Sequence, residues 1–86
     1  MAAVGAPRVV RMFSRRLCGL CDEARAVILR EQDQAPDRFR FEETFIDGDF
    51  GLEREYGQRV PVVLIDGALE FEYQVEPARF RALVSV

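Results

Sequence analysis

The chain has 86 residues and a mass of 9.9 kDa, which is room for one core and not for two; a multi-domain enzyme is excluded and one domain over residues 1–86 is expected. Apolar residues make up 49% and charged residues 31%, a balance that buries a modest core and excludes a disordered or fibrous chain. The net charge is -3 and the 12 basic residues are all arginine, scattered rather than clustered, so nucleic acid is not an expected partner.

Val9, Val10, Met12 and Phe13 form a short run of strand-forming residues between Pro7 and the polar Ser14-Arg15-Arg16, and predict a buried first strand. Leu20, Ala24, Val27 and Ile28 recur on one helical face while Asp22, Glu23, Arg25, Arg30 and Glu31 occupy the others. This spacing predicts an amphipathic helix over Gly19 to Gln34, which Ala35-Pro36-Asp37 stops because the residue before a proline disfavours helical dihedrals. Phe39, Phe41 and Phe45 fall at alternate positions up to Ile46, with Glu43 interrupting the apolar face, and predict a second strand. Asp47-Gly48-Asp49 supplies a turn, with Asp49 capping a short helix that runs to Tyr56 and ends at Gly57. After Pro61, Val62 to Ile65 are apolar on both faces, as a central strand requires. Asp66-Gly67 is a hairpin turn, and Leu69, Phe71 and Tyr73 alternate with Glu70 and Glu72 in a fourth strand. Glu76 and Pro77 then suit the first turn of a helix that turns Phe80, Leu83 and Val84 inward.

The resulting order is βαβαββα. It predicts an α/β fold with a four-stranded mixed sheet flanked by helices, the first two strands parallel across the long helix and the last two antiparallel. No run of eighteen apolar residues occurs and residues 1–7 carry no basic or apolar stretch of leader type; no membrane association and a cytoplasmic, monomeric protein are expected.

There is no histidine, so Ser-His-Asp and Cys-His catalysis are excluded within the chain. The 2 cysteines, Cys18 and Cys21, stand three positions apart, which excludes a scaffold stapled by several disulfides. Their position at the junction of the first strand and its helix carries more information than their spacing. Free backbone N–H groups and the positive end of the helix dipole there favour thiolate over thiol, and Arg15 and Arg16 add positive charge. A free cysteine titrates near ~8.5, and such surroundings lower that by one to several units. Cys18 is therefore the candidate nucleophile. Cys21, one turn inside the helix and more buried, is the candidate resolving thiol. Asp22 and Glu23 favour the helix terminus but repel a thiolate, so their effect depends on how they are oriented. Asp47 and Asp49 read as turn and cap rather than as an acidic pair.

A C-x-x-C between first strand and first helix, Val60-Pro61 before a central strand, an Asp-Gly hairpin and a last helix together resemble the glutaredoxin branch of the thioredoxin superfamily, from Arg8 to Leu83. Cys18-Gly19-Leu20-Cys21-Asp22-Glu23-Ala24, with Tyr56-Gly57-Gln58-Arg59-Val60-Pro61-Val62, looks more narrowly like the small glutaredoxin-like proteins of bacteria and eukaryotes. The resemblance implies a thioredoxin-like, glutaredoxin-type fold, a Cys18 nucleophile, a Cys21 resolver and a cis Val60-Pro61 bond beside them. Arg16, Leu17, Arg59, Val60 and Pro61 are the residues expected against substrate, Arg16 and Arg59 flanking an anionic one. The implied partners are a disulfide-containing protein or a low-molecular-weight thiol and a reductase, with no metal and no further cofactor. Two departures are visible: Arg59 stands where glutaredoxins usually have threonine, and Gly19-Leu20 where they have Pro-Tyr. A third concerns the co-substrate, because Phe71 to Val75 lacks the Gly-Gly-x-Asp motif that holds glutathione; another small thiol or a protein is the expected partner.

Two other readings of C-x-x-C stand beside this one. A Cu(I) or Zn module is one, although copper chaperones follow a βαββαβ order and commonly place methionine where Arg16 stands. A redox-inert subunit that presents its surface to a partner is the other.

Overall fold

The apolar pattern produces its elements in the expected order in the computed structural model, which describes residues 7–85. Strand β1 is Arg8–Ser14, helix α1 Gly19–Gln34, strand β2 Phe39–Phe45, helix α2 Phe50–Tyr56, strand β3 Val62–Ile65, strand β4 Ala68–Glu72 and helix α3 Pro77–Val84. The strands lie in the order β2-β1-β3-β4. β1 runs parallel to β2 and antiparallel to β3, and β4 pairs antiparallel with β3. β3 is thus inserted beside β1 rather than beside β2, which makes β1 and β3 the two central strands and explains why they are the most buried.

Alternation along β1 and β3 divides the core between the two sheet faces. Val10, Met12, Val63 and Ile65 point to the face covered by Ala24 and Ile28 of α1 and by Phe80 and Val84 of α3. Phe80 closes this layer, edge-on to Phe39 at 5.4 Å between ring centroids and tilted against Phe71 at 6.3 Å. Phe13 and Val62 point to the other face, where Ile46 is buried with them and Leu52 and Tyr56 of α2 pack. Tyr56 stacks on Phe13 at 4.4 Å.

Two local expectations are corrected. Leu20 is not on the core face of α1 but 42% exposed, while Cys21, Ala24, Ile28 and Glu31 form the buried stripe. The helix turns its i, i+3, i+7, i+10 set inward, and one member of that set is a carboxylate. Glu31 is admitted because Arg81 of α3 binds both its oxygens, at 3.0 and 2.7 Å, and this pairing holds the Glu31 carboxyl below its usual range against the opposing effect of burial. In β4, Phe71 is buried but Leu69 and Tyr73 are exposed. Val63 pairs with Phe71 and Leu64 with Leu69, so the register shifts at Glu70 and the two-residue period is broken there. Tyr73 lies beyond the strand at φ 70°.

The hairpin turn takes positive φ at both central residues, 51° at Asp66 and 87° at Gly67, the combination that matches strand twist. The Asp66 carboxylate also accepts from the Val9 N–H at 2.9 Å and from Arg8 at 2.8 Å. These bonds, the Val9 one foremost, hold its carboxyl below the ordinary value and pin the turn to the start of β1.

Candidate functional site

The segment between β1 and α1 is fixed from both sides. The Arg15 guanidinium donates to the Gly57 carbonyl at 3.0 Å, and the Arg16 N–H donates to Asp47 Oδ1 at 2.9 Å. Gly57 has to be glycine for this approach, since a β-carbon there would run into the Glu53 carbonyl and stand 2.9 Å from Arg15 Nη2. Between these anchors Leu17 takes φ 54° and is fully exposed.

Cys18 follows as the N-cap of α1, with extended dihedrals of φ -119° and ψ 108°. Its sulfur accepts from the Cys21 N–H at 3.1 Å, so one of the orphan donors of the helix terminus is aimed at the atom on which negative charge would develop. Cys18 is partly exposed and Cys21 is buried. The two sulfurs are bonded as a disulfide, across a Cα separation of 5.2 Å.

β1 delivers the second constellation to the same place. Phe13 pairs with Val62, and one further step of that antiparallel register sets Pro61 opposite Ser14, the last residue of β1. Pro61 is buried and its peptide bond with Val60 is cis. Its carbonyl accepts from the Tyr73 N–H at 2.9 Å. Among the described residues nothing hydrogen-bonds to the main chain of Val60. The cysteines, Leu17 and the Val60-Pro61 bond therefore meet at one end of the sheet, with Leu20 and Tyr73 exposed around them.

The arginines are used differently from one another. Arg59 lies over the Tyr56 ring at 5.5 Å, donates to the Glu55 carbonyl at 2.8 Å and is ion-paired with Glu72; its charge is committed within the fold. The Arg16 side chain is exposed. A polar group that no motif announces lies under α1. Glu43 of β2 receives Arg25 Nε at 2.8 Å and Nη2 at 2.6 Å, and the hydroxyl of the buried Ser14 at 2.7 Å. Burial would push the Glu43 carboxyl up; the bonds from Arg25 and Ser14 outweigh it and hold the group below its ordinary value. Arg25 Nη1 reaches on to Asp22 Oδ1 at 2.9 Å. The orientation left open by the sequence is thus settled: Asp22 turns along the helix toward Arg25. Among the described residues no group of three or more metal-ligating side chains comes together.

Residues 9–85 match the Glutaredoxin-like domain (DUF836). Among solved structures, protein XcR50 from X. campestris is similar at 32% identity over 87% of this chain and 93% of that one, with a TM-score of 0.71. Protein Ne2328 from Nitrosomonas europaea shares 30% identity over 92% and 93%, with a TM-score of 0.75. Oxidized thioredoxin O2 from Arabidopsis thaliana, at 22% identity over 93% and 74% and a TM-score of 0.62, shows likeness of fold. No curated protein matches the chain. A thioredoxin-like fold with a disulfide across its C-x-x-C is consistent with thiol–disulfide redox chemistry.

Proposed function

We propose that this chain, which belongs to the Glutaredoxin-like domain (DUF836) family of the thioredoxin superfamily, is a dithiol–disulfide oxidoreductase acting on disulfides of proteins. The observation that carries the reading is the placement of Cys18 at the N-cap of α1, partly exposed, with the buried Cys21 within bonding distance. In the reduced protein the Cys18 thiolate attacks a substrate disulfide, forms a Cys18–substrate bond and expels the second substrate sulfur as a thiolate that takes a proton from water. Cys21, deprotonated, then attacks the Cys18 sulfur, closes the Cys18–Cys21 disulfide and releases the first substrate sulfur. Two electrons pass from the dithiol to the substrate, and a thiol reductant, a protein or a small thiol, restores the starting state. The exchange requires no metal and no cofactor. A dithiol renewed in every cycle belongs in a reducing compartment, and the cytoplasm is the one we favour.

A protein substrate is supported by the surroundings of the cysteines. Leu17, Leu20 and Tyr73 offer exposed apolar surface, which suits a polypeptide better than a charged small thiol. The main chain of Val60, unpaired among the described residues, offers a donor and an acceptor to an extended segment laid beside it. Phe71 to Val75 has no glycine at which a glutathione backbone would approach closely. Arg59 is less suited than Arg16 to meet an anionic substrate, because Glu72 already neutralises it.

Steady-state reduction of insulin disulfides, compared with that of a glutathione mixed disulfide under one reductant, tests the assignment. The protein disulfide is expected to be the better substrate, and Leu17→Ser to slow its reduction several-fold while leaving the small substrate unchanged. A preference for the glutathione mixed disulfide would overturn the substrate class. Turnover of neither would overturn the oxidoreductase reading.

A further inference from the structure

The position of Asp22 is unfavourable for the chemistry just described. Cys18 caps α1 and Asp22 follows four residues later, its N–H bonded to the Cys18 carbonyl at 3.0 Å. Residues at i and i+4 of a helix are neighbours, with about 5–6 Å between their β-carbons. An acidic side chain one turn from a thiolate opposes its formation. Arg25, at i+7 from Cys18, lies on the same stripe, two turns along. Its guanidinium contacts Asp22 through Nη1, while Nε and Nη2 are held by Glu43, whose other support is the buried Ser14 hydroxyl. The Arg25 fork is therefore anchored through Nε and Nη2 in a partly buried pair with β2 and offers its third nitrogen to the carboxylate of the residue one turn from Cys18.

We propose that Arg25 is a positioning residue for the Cys18 thiolate: fixed by Glu43, it draws the Asp22 carboxylate into an ion pair and screens it from the sulfur one turn away. The inference rests on the reading of Cys18 as the nucleophile. It explains why two carboxylates share one guanidinium here, an arrangement that fold stability alone does not require of an Asp22 whose side chain is 70% exposed. The other charged or titratable groups on the elements meeting at this end are Arg15, bonded to Gly57, and Arg16, whose N–H is bonded to Asp47 of the β2–α2 connection. Glu23 is exposed on α1, the Arg59–Glu72 pair lies on the β3–β4 side, and Tyr73 is exposed beyond β4. Among these charges, Asp22 is the one held by Arg25.

The test is the pH profile of Cys18 alkylation in the reduced protein. Arg25→Gln alone would strand Glu43 in its partly buried site, so the variant of choice is Arg25→Gln/Glu43→Gln, which removes both members of that pair and leaves the net charge unchanged. Any movement of the Cys18 titration then reports Asp22 released from its partner. A rise on the order of half a pH unit, or about threefold slower alkylation near neutrality, is expected for a charge one helical turn away. Adding Asp22→Asn should abolish that rise. The proposal is overturned if the double variant, folded by circular dichroism, titrates as the wild type does, or if its rise survives Asp22→Asn. The readout is a thiol titration and not turnover: a protein inactive on disulfides in which these shifts appear would overturn the proposed function and leave the role of Arg25 standing.

Discussion

Cys18→Ser is expected to lower disulfide reduction by on the order of a thousandfold or more, the scale on which loss of a nucleophile acts, while Cys21→Ser lowers turnover differently, by stalling it. A hydroxyl at position 18 carries no comparable anion at neutral pH and forms no bond to a substrate sulfur. A hydroxyl at position 21 leaves the first attack intact, because Cys18 keeps its place at the helix cap and its backbone donor, the Cys21 N–H, is a main-chain group that serine also supplies. The mixed disulfide between Cys18 and substrate then has no internal thiol to displace it. Intact-mass spectrometry after exposure to a disulfide should therefore find a persistent single adduct on Cys21→Ser and none on Cys18→Ser. Adducts on Cys18→Ser alone would exchange the two roles.

The second large effect is on stability. Phe80→Ala is expected to cost about 3–5 kcal/mol, the range for a fully buried aromatic truncated in a packed core. Phe80 is fully buried and is the aromatic of α3 that packs on both Phe39 of β2 and Phe71 of β4. A domain of this size has a total stability of about 5–15 kcal/mol, so the variant should show a much lower denaturation midpoint in urea with an unchanged slope. Leu69→Ala, an exposed position on β4, should stay within about 0.5 kcal/mol of the wild type. Equal losses in the two variants would mean that α3 does not form part of the core.

Sequence spacing carries most of this architecture. The bounds of α1, the Asp49 cap of α2, the positive-φ turn at Asp66-Gly67 and the two-faced apolar β3 are each fixed by neighbouring residues, and all are as the pattern predicts. Departures occur where distant residues decide. Glu31 is buried because Arg81, 50 residues away, binds it, and a count of apolar spacing passes over a paired carboxylate. Leu69 and Phe71 look alike in the alternation until the register shift at Glu70 separates them, and nothing in the four-residue neighbourhood announces that shift.

The site divides in the same way. C-x-x-C at a strand–helix junction and Val-Pro before a central strand are local patterns, and both lead to the end of the sheet where the structure brings them together. The commitment of Arg59 to Glu72 and the Ser14-Glu43-Arg25-Asp22 chain depend on pairing between elements. Each is made of residue types that also populate any solvated surface, so no signal in the linear order distinguishes them. Asp22 shows the consequence: its charge is legible as a problem for a thiolate and Arg25 stands at i+3 on the same helix, but the Glu43 carboxylate that holds Arg25 becomes visible only when α1 is laid on β2.

The proposed exchange requires the fold to make one of its two thiols a thiolate at neutral pH. Alkylation of the reduced wild-type protein across the pH range, with mass spectrometry assigning each adduct, measures this directly. Cys18 is expected to titrate at least about one unit below the free value of ~8.5 and to react well ahead of the buried Cys21. Titration of both cysteines together near that free value would contradict it.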